Sequence, residues 1–375
     1  MNRDALIAEL ATLLGQLPEA ASRGFAEARE PLCCEVLLAA SGDPELLAML
    51  GDPGLEVDFG SVRARCEFWR SVFDLGLARL VVTTVPWIYR SQQARGFSAS
   101  CFQRLLRLWM RAVEQVLPAR QARPILEVFA WIHGRHEEWL RLAQDTGTGA
   151  ATPEGAWAPT QRQFLVHLLN GDRPGCLLLA EAMVKTQDDL RQFFVQVLTP
   201  ALYEVGRLWE TGRISVGDEQ RASGIASLTM DTLFHLLVPF RGMKGRVLIT
   251  CSTNECHELG GRMVADLLAG DGWSTAFLGA NVDPRELLSL VRHIQPHVLG
   301  ISIALPLHLK EIRELIAAVR LEPGFRRSRV VIGGNAARND PDLWRALGAD
   351  GQAPDALAAI ALLEAWWLDM APLGT

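Results

Sequence analysis

From residue 246 to residue 347 the chain alternates short apolar runs with amphipathic segments, and this alternation constrains its fold more than any other feature. Val247, Leu248 and Ile249 make a strand-like run within 246–250, and Met263, Val264, Leu267 and Leu268 then fall at helical spacing within 261–269. The unit repeats: 274–278 reads as a strand, 284–293 as a helix, 297–303 as a strand, 307–320 as a helix, and 329–332 as a strand running into Gly333-Gly334. A further helix is predicted over 342–347. Strands alternating with helices predict an α/β domain over 244–370, a parallel sheet covered on both faces. In such sheets ligands gather beyond the carboxyl ends of the strands, where His257, Ser302, Gly333 and Gly334 fall.

Between the first strand and its helix lies a polar loop, Ser252-Thr253-Asn254-Glu255-Cys256-His257-Glu258-Leu259-Gly260. Taken singly, a loop histidine is usually solvated and a Gly-Gly pair is usually a turn. The glycines opening the helix also raise a dinucleotide-binding fold, but no Gly-x-Gly-x-x-Gly follows the strand. In order and spacing, Glu255-x-His257-x-x-Gly260, then Ser302-Ile303-Ala304-Leu305, then Gly333-Gly334 resembles the Asp/Glu-x-His-x-x-Gly, Ser-x-Leu and Gly-Gly signature of cobalamin-binding domains. The middle element is one residue longer here, so Ala304 and Leu305 both stand near the family leucine's place. The resemblance implies a flavodoxin-like (Rossmann-type) fold, with His257 as the lower cobalt ligand and Cys256, Glu258 and Leu259 in the binding loop. It also implies a slot for the cofactor's nucleotide tail beside Ser302, Gly333 and Gly334. The residue types suit those roles, since neutral imidazole ligates borderline metals, a carboxylate at Glu255 can fix its tautomer, and small residues let a ligand pass close to backbone. Cys256 reads as a small packing residue.

Upstream, 160–240 reads as four amphipathic helices, 162–170, 175–185, 188–211 and 216–237, whose simple packing solution is an antiparallel bundle. The stretch from Leu202 to Ser223 resembles the cap bundle of cobalamin-dependent light-sensing repressors, which covers the upper face of the corrin. Trp209 and, after a glycine turn, Glu219 match that pattern, Gln220 stands where the family has histidine, and Val216 beside them is a further candidate for cofactor binding. Glu210 stands where the family's cobalt-capturing histidine follows the tryptophan, so the resemblance implies that a bis-histidine adduct at that position cannot form. Without the downstream motif, Trp209 would read as a core residue and Glu219 as a first-turn carboxylate near a cap at Ser215.

The first 145 residues are helical by pattern. Apolar stripes run through Trp69, Phe73, Leu77 and Leu80, through Phe102, Leu105, Leu106, Trp109 and Val113, and through Ile125, Val128, Phe129 and Ile132. Punctuated by Pro86, Pro118 and Pro124, they suggest an all-helical, globin-like module for sensing or dimerisation, with 146–159 as its linker to the bundle. His133 and His136, with Trp87, Tyr89, Trp131 and Trp139, raise a second tetrapyrrole, haem or bilin. Packing is the favoured reading, since aromatic stripes at helical period usually form core.

A formal net charge of -6 and the absence of a helix-turn-helix signature or basic stripe argue against direct nucleic-acid binding. The 34 arginines against 3 lysines are scattered. Seven cysteines without framework or Cys-x-x-Cys spacing predict reduced thiols in a cytoplasmic chain, and neither a leader pattern nor a membrane-length apolar run is read. Three functions compete: a cobalamin-dependent sensor, favoured to use adenosylcobalamin and light; a corrinoid carrier in methyl transfer; and a radical mutase subunit. No barrel pattern is present for a mutase, and a capped upper face favours the sensor. Its output would pass to a protein partner or its own oligomer, and catalysis is not expected.

Overall fold

The computed structural model describes residues 2–50, 59–144, 155–236, 244–252, 257–325 and 328–370. It divides into two compact units, residues 1–147 with 306–310, and residues 148–305 with 311–375.

Helices fill the first unit: α1 (Arg3–Gly15), α2 (Glu19–Glu27), α3 (Arg29–Ser41), α4 (Pro44–Leu50), α5 (Phe59–Leu75), α6 (Ala78–Ala94), α7 (Cys101–Val116), α8 (Ala119–His133) and α9 (His136–Gln144). The stripes on α7 and α8 are buried throughout. Phe73 and Phe129 lie edge to face at 5.5 Å, and Trp69 meets Phe129 at 5.1 Å. The first stripe is split, because Gly76 at φ +67 ends α5 and returns the chain into α6. Pro86 and Pro124 lie inside α6 and α8, where only Pro118, at the α8 N-cap, ends a segment. Burial of Val82, Val85 and Tyr89 holds α6 helical through its proline, offsetting the hydrogen bond that proline deletes. Tyr89 Oη lies 2.8 Å from His136 Nδ1, Gln103 donates to the His133 carbonyl at 2.9 Å, and buried Trp139 donates to Ile132 O at 2.8 Å. These aromatics are thus packed and hydrogen-bonded within the helical core.

The second unit opens with a bundle of α10 (Ala158–Asn170), α11 (Arg173–Met183), α12 (Gln187–Phe193), α13 (Thr199–Glu210) and α14 (Val216–Leu233). The single helix read over 188–211 is continuous but relaxes into a π turn, Phe194–Leu198, between α12 and α13. Pro200 lies just beyond and cannot donate to the preceding turn, so the wider turn accommodates its ring. Capping boxes start two helices: Thr186 with Asp189 for α12, and Ser215 with Asp218 for α14.

Five parallel strands follow, β1 (Arg246–Cys251), β2 (Ser274–Phe277), β3 (Val298–Ser302), β4 (Arg329–Gly333) and β5 (Gly351–Gln352), in the order β2-β1-β3-β4-β5. The connecting helices are α15 (Leu259–Gly270), α16 (Pro284–Ile294), α17 (Leu309–Arg320), α18 (Asn335–Asn339) and α19 (Leu343–Leu347), with α20 (Ala356–Met370) last. The inner strands β1, β3 and β4 are almost wholly buried, as a sheet covered on both faces requires, whereas β2 is partly exposed and β5 has two residues. The sequence pattern does not show β5, too short for a periodic signal, or α20, whose Ala-rich apolar run has little amphipathic contrast. α20 nonetheless buries Ala359 and Leu363 against the sheet's core.

Gly334 holds φ +88, and a β-carbon there would lie 2.4 Å from the Ile303 carbonyl oxygen. Gly334→Ala is therefore expected to destabilise the protein by at least ~2 kcal/mol, seen as a lower urea midpoint with or without any ligand.

Candidate functional site

The strand order reverses between β1 and β3, which leaves a crevice at their carboxyl ends. Register places Cys251, Ser302 and Gly333 in one row across that end. Backbone bonds tie the row together: Ser252 N donates to Ser302 O at 2.8 Å, Ile303 N to Gly333 O at 2.9 Å, and Ala336 N to Ile303 O at 3.0 Å. The row thus brings Ser302 and Gly333 to one rim, with Gly334, Ala304 and Leu305 in the loops that leave it.

His257 is exposed two residues ahead of α15, on the same rim, and Glu258 occupies the N-cap position. Glu258 leans on the β2–α16 loop, its Oε2 3.0 Å from where a Gly279 β-carbon would sit. Leu259 turns the other way and packs on the bundle core. A β-carbon at Gly260 would meet nothing within 4 Å, so the backbone beside His257 is open to a ligand. At Gly261 it would lie 3.2 Å from Cys251 Sγ, 3.3 Å from Phe277 and 3.4 Å from Ser302, so that glycine serves close packing of α15 on the sheet. Glu255 and Cys256 lie outside the described residues.

The upstream candidates gather at one end of the bundle, around the turn joining α13 to α14. Trp209 is half-buried in the last turn of α13, and Gly212 at φ +67 reverses the chain. Ser215 then caps α14, accepting from Asp218 N at 3.1 Å. Val216 is 52% exposed, Gln220 is exposed, and half-buried Glu219 accepts from Ser223 Oγ at 2.8 Å. An apolar side chain and a tryptophan left partly open at a helix turn are what a flat, largely apolar ligand face would cover.

The bundle docks on the α/β domain through α15. Met263 and Leu267 enter the bundle core, while Ala265 and Leu268 face the sheet's core. Arg262 pairs with Asp231 and donates to Ser227 Oγ at 3.3 Å, both on α14. Arg191 of α12 pairs with Asp271, and Gln187 donates to Gly270 O at 2.5 Å. Arg338, in α18 beyond Gly334, lies 4.4 Å over the Tyr203 ring of α13. Sequence pattern alone does not reach this clasp. A signal is present only at Arg262 and Asp266, one turn apart in an otherwise apolar helix.

Asp266 is the unusual group at this junction. It is 8% exposed, its Oδ2 has no hydrogen-bond partner, and Arg262 Nε lies 3.9 Å away. Burial pushes its carboxyl up to about 6, with Arg262 lowering it and Asp231 raising it. The native state therefore favours the protonated form, so this group's contribution to stability is greatest below about pH 4 and is lost as pH rises towards 6. Asp266→Asn is expected to stabilise the protein by on the order of 2 kcal/mol at pH 7.5, to give no gain at pH 4, and to flatten the slope between. Thermal melts across that range measure it.

Comparison with known proteins places chemistry on this geometry. Residues 245–361 and residues 160–233 match two families, each described as a B12 binding domain. The chain is 26% identical over 199 residues to the HTH-type transcriptional repressor CarH of Myxococcus xanthus, a match covering 52% of this chain and 65% of that protein. It therefore spans just under two thirds of that relative's length. The monomethylamine corrinoid protein of Methanosarcina barkeri superposes with a TM-score of 0.50 at 18% identity, covering 56% of this chain and all of that one. A cobalamin-binding protein of Desulfitobacterium hafniense covers 54% of this chain at 20% identity with a TM-score of 0.32. Among the described residues, no helix is long and apolar enough to cross a membrane.

Proposed function

We propose, from the two B12 binding domains this chain carries, that it is a cobalamin-dependent sensor using adenosylcobalamin, with light as its signal. The observation that carries this reading is the bundle end formed by Trp209, Val216 and Glu219, joined chiefly through α15 to the domain bearing His257. The donor chemistry fits: His257 offers an exposed imidazole beside open backbone at Gly260. His257 would hold cobalt from below, and Trp209, Val216, Glu219 and Gln220 would shape the space for the upper ligand. Ser302, Ala304, Leu305, Gly333 and Gly334 would border the nucleotide tail. When bound, the cofactor supplies a cobalt–carbon bond that light can break.

The response then rests on this chain's own contacts. Arg262, Arg191 and Gln187 clasp the bundle through a few polar pairs, so a change at the bundle end shifts the balance between docked and released packings. Glu210 removes the histidine with which relatives of this type capture cobalt, so the illuminated state differs from theirs. The output passes to a protein partner or a second copy of the chain. The Tyr89–His136 bond and the packed tryptophans of the first unit support packing rather than a second tetrapyrrole there.

The test is the absorption spectrum of protein purified in the dark with adenosylcobalamin, repeated after green light. Irreversible conversion is expected, and His257→Ala is expected to shift the bound spectrum. An unchanged spectrum in that variant removes His257 as ligand. Uptake of methylcobalamin or hydroxocobalamin without adenosylcobalamin would instead favour a carrier of methyl groups.

A further inference from the structure

We infer that the groove between the α3–α4 turn and α7 in the first unit binds a small phosphate-bearing molecule through Arg107 and Arg111. The groove is open to solvent, has a volume of about 330 Å³, and is lined by Ala39, Gly42, Pro44 and Leu108 beside its charged groups. That volume lies at the lower end of small-molecule sites, large enough for a phosphate with a compact organic body.

Three arginines line it, at positions that one helix face brings together: Arg104, Arg107 and Arg111 of α7. Arg104 is committed. Its Nε and Nη2 donate to Asp43 at 2.6 and 3.0 Å, and its Nη1 lies 2.7 Å from Glu45. Asp43, the one carboxylate lining the groove among the described residues, is committed too, since its Oδ1 also accepts from Glu45 N and Leu46 N, each at 3.1 Å.

Arg107 and Arg111 are exposed on that face, and among the described residues they form no ion pair of their own. Two like charges four residues apart on a helix repel weakly in water, and an anion held between them removes that repulsion. Guanidinium forks match phosphate oxygens in geometry as well as charge. The Arg107 charge is felt nearby: after burial, it is the next cause holding His133 below the usual histidine range. Two guanidiniums beside Ala39, Pro44 and Leu108 are too few for a nucleic-acid backbone and suit one phosphate with a small body.

The experiment uses the full chain at constant ionic strength, with inorganic phosphate, adenosine 5′-monophosphate and unphosphorylated adenosine as probes in titration calorimetry and thermal melts. The monophosphate is expected to bind and raise Tm, phosphate to do so more weakly, and adenosine to do neither. Arg107→Gln with Arg111→Gln is expected to weaken monophosphate binding at least about tenfold. Arg120→Gln, a charge loss on α8, should leave it unchanged. Arg107→Lys with Arg111→Lys keeps both charges and is expected to give an intermediate loss, which separates binding from any effect on folding. Three results would overturn the inference: no binding by either phosphate probe, equal binding by the double glutamine variant, or an equal loss in Arg120→Gln.

Discussion

Helix α15 serves two cores at once, and the second unit depends on that double burial. Its inner face, with Ala265 and Leu268, closes the parallel sheet, and its outer face, with Met263 and Leu267, enters the bundle. A parallel sheet must be covered on both faces, so α15 cannot leave β1 and β3 without exposing their side chains. The bundle has no such bond to the sheet and meets it chiefly through α15, with Ala356 and Ile360 of α20 at the margin.

The polar groups along this junction give it a different character from either core. Apolar contact between Met263, Leu267 and the bundle is non-directional, whereas Arg262 with Asp231 and Arg191 with Asp271 set register. Asp266 works against the junction, since an ionised carboxylate without a full set of partners is costly in a buried place. The junction is thus held but not maximally stable.

The first unit sets its buried polar pairs beside an aromatic core, with Glu67 accepting from Arg70 at 2.7 Å. Trp69 and Phe73 pack edge to face on Phe129, His136 bonds through its ring to Tyr89, and His133 accepts from Gln103 only through its backbone carbonyl, its buried Nε2 having no hydrogen-bond partner among the described residues. On the exposed face of α7, Arg107 and Arg111 stand beside an ion pair that is already complete, Arg104 with Asp43.

The alternation of apolar runs and amphipathic helices determined the parallel sheet by itself, because a period of two or a continuous apolar run and a period of 3.6 admit few packings. Strand ends were legible to within a residue or so at β1 to β4, and the placement of His257, Ser302 and Gly333 at one rim followed from strand direction alone. What the spacing could not carry was anything set by contacts distant in sequence. β5 is two residues long and exists because β4 offers it an edge, and Pro86 and Pro124 sit within helices because surrounding burial outweighs one lost hydrogen bond. Gly334 reads in the sequence as room for a ligand, and the tertiary structure shows a backbone conformation pressed against Ile303 that only glycine tolerates. The pairing of Arg262 with Asp231, and the lack of an ion pair for Arg107 and Arg111 among the described residues, were likewise decided only when the helices packed. A side chain's charge is written in the sequence, but whether that charge is neutralised depends on which surfaces meet.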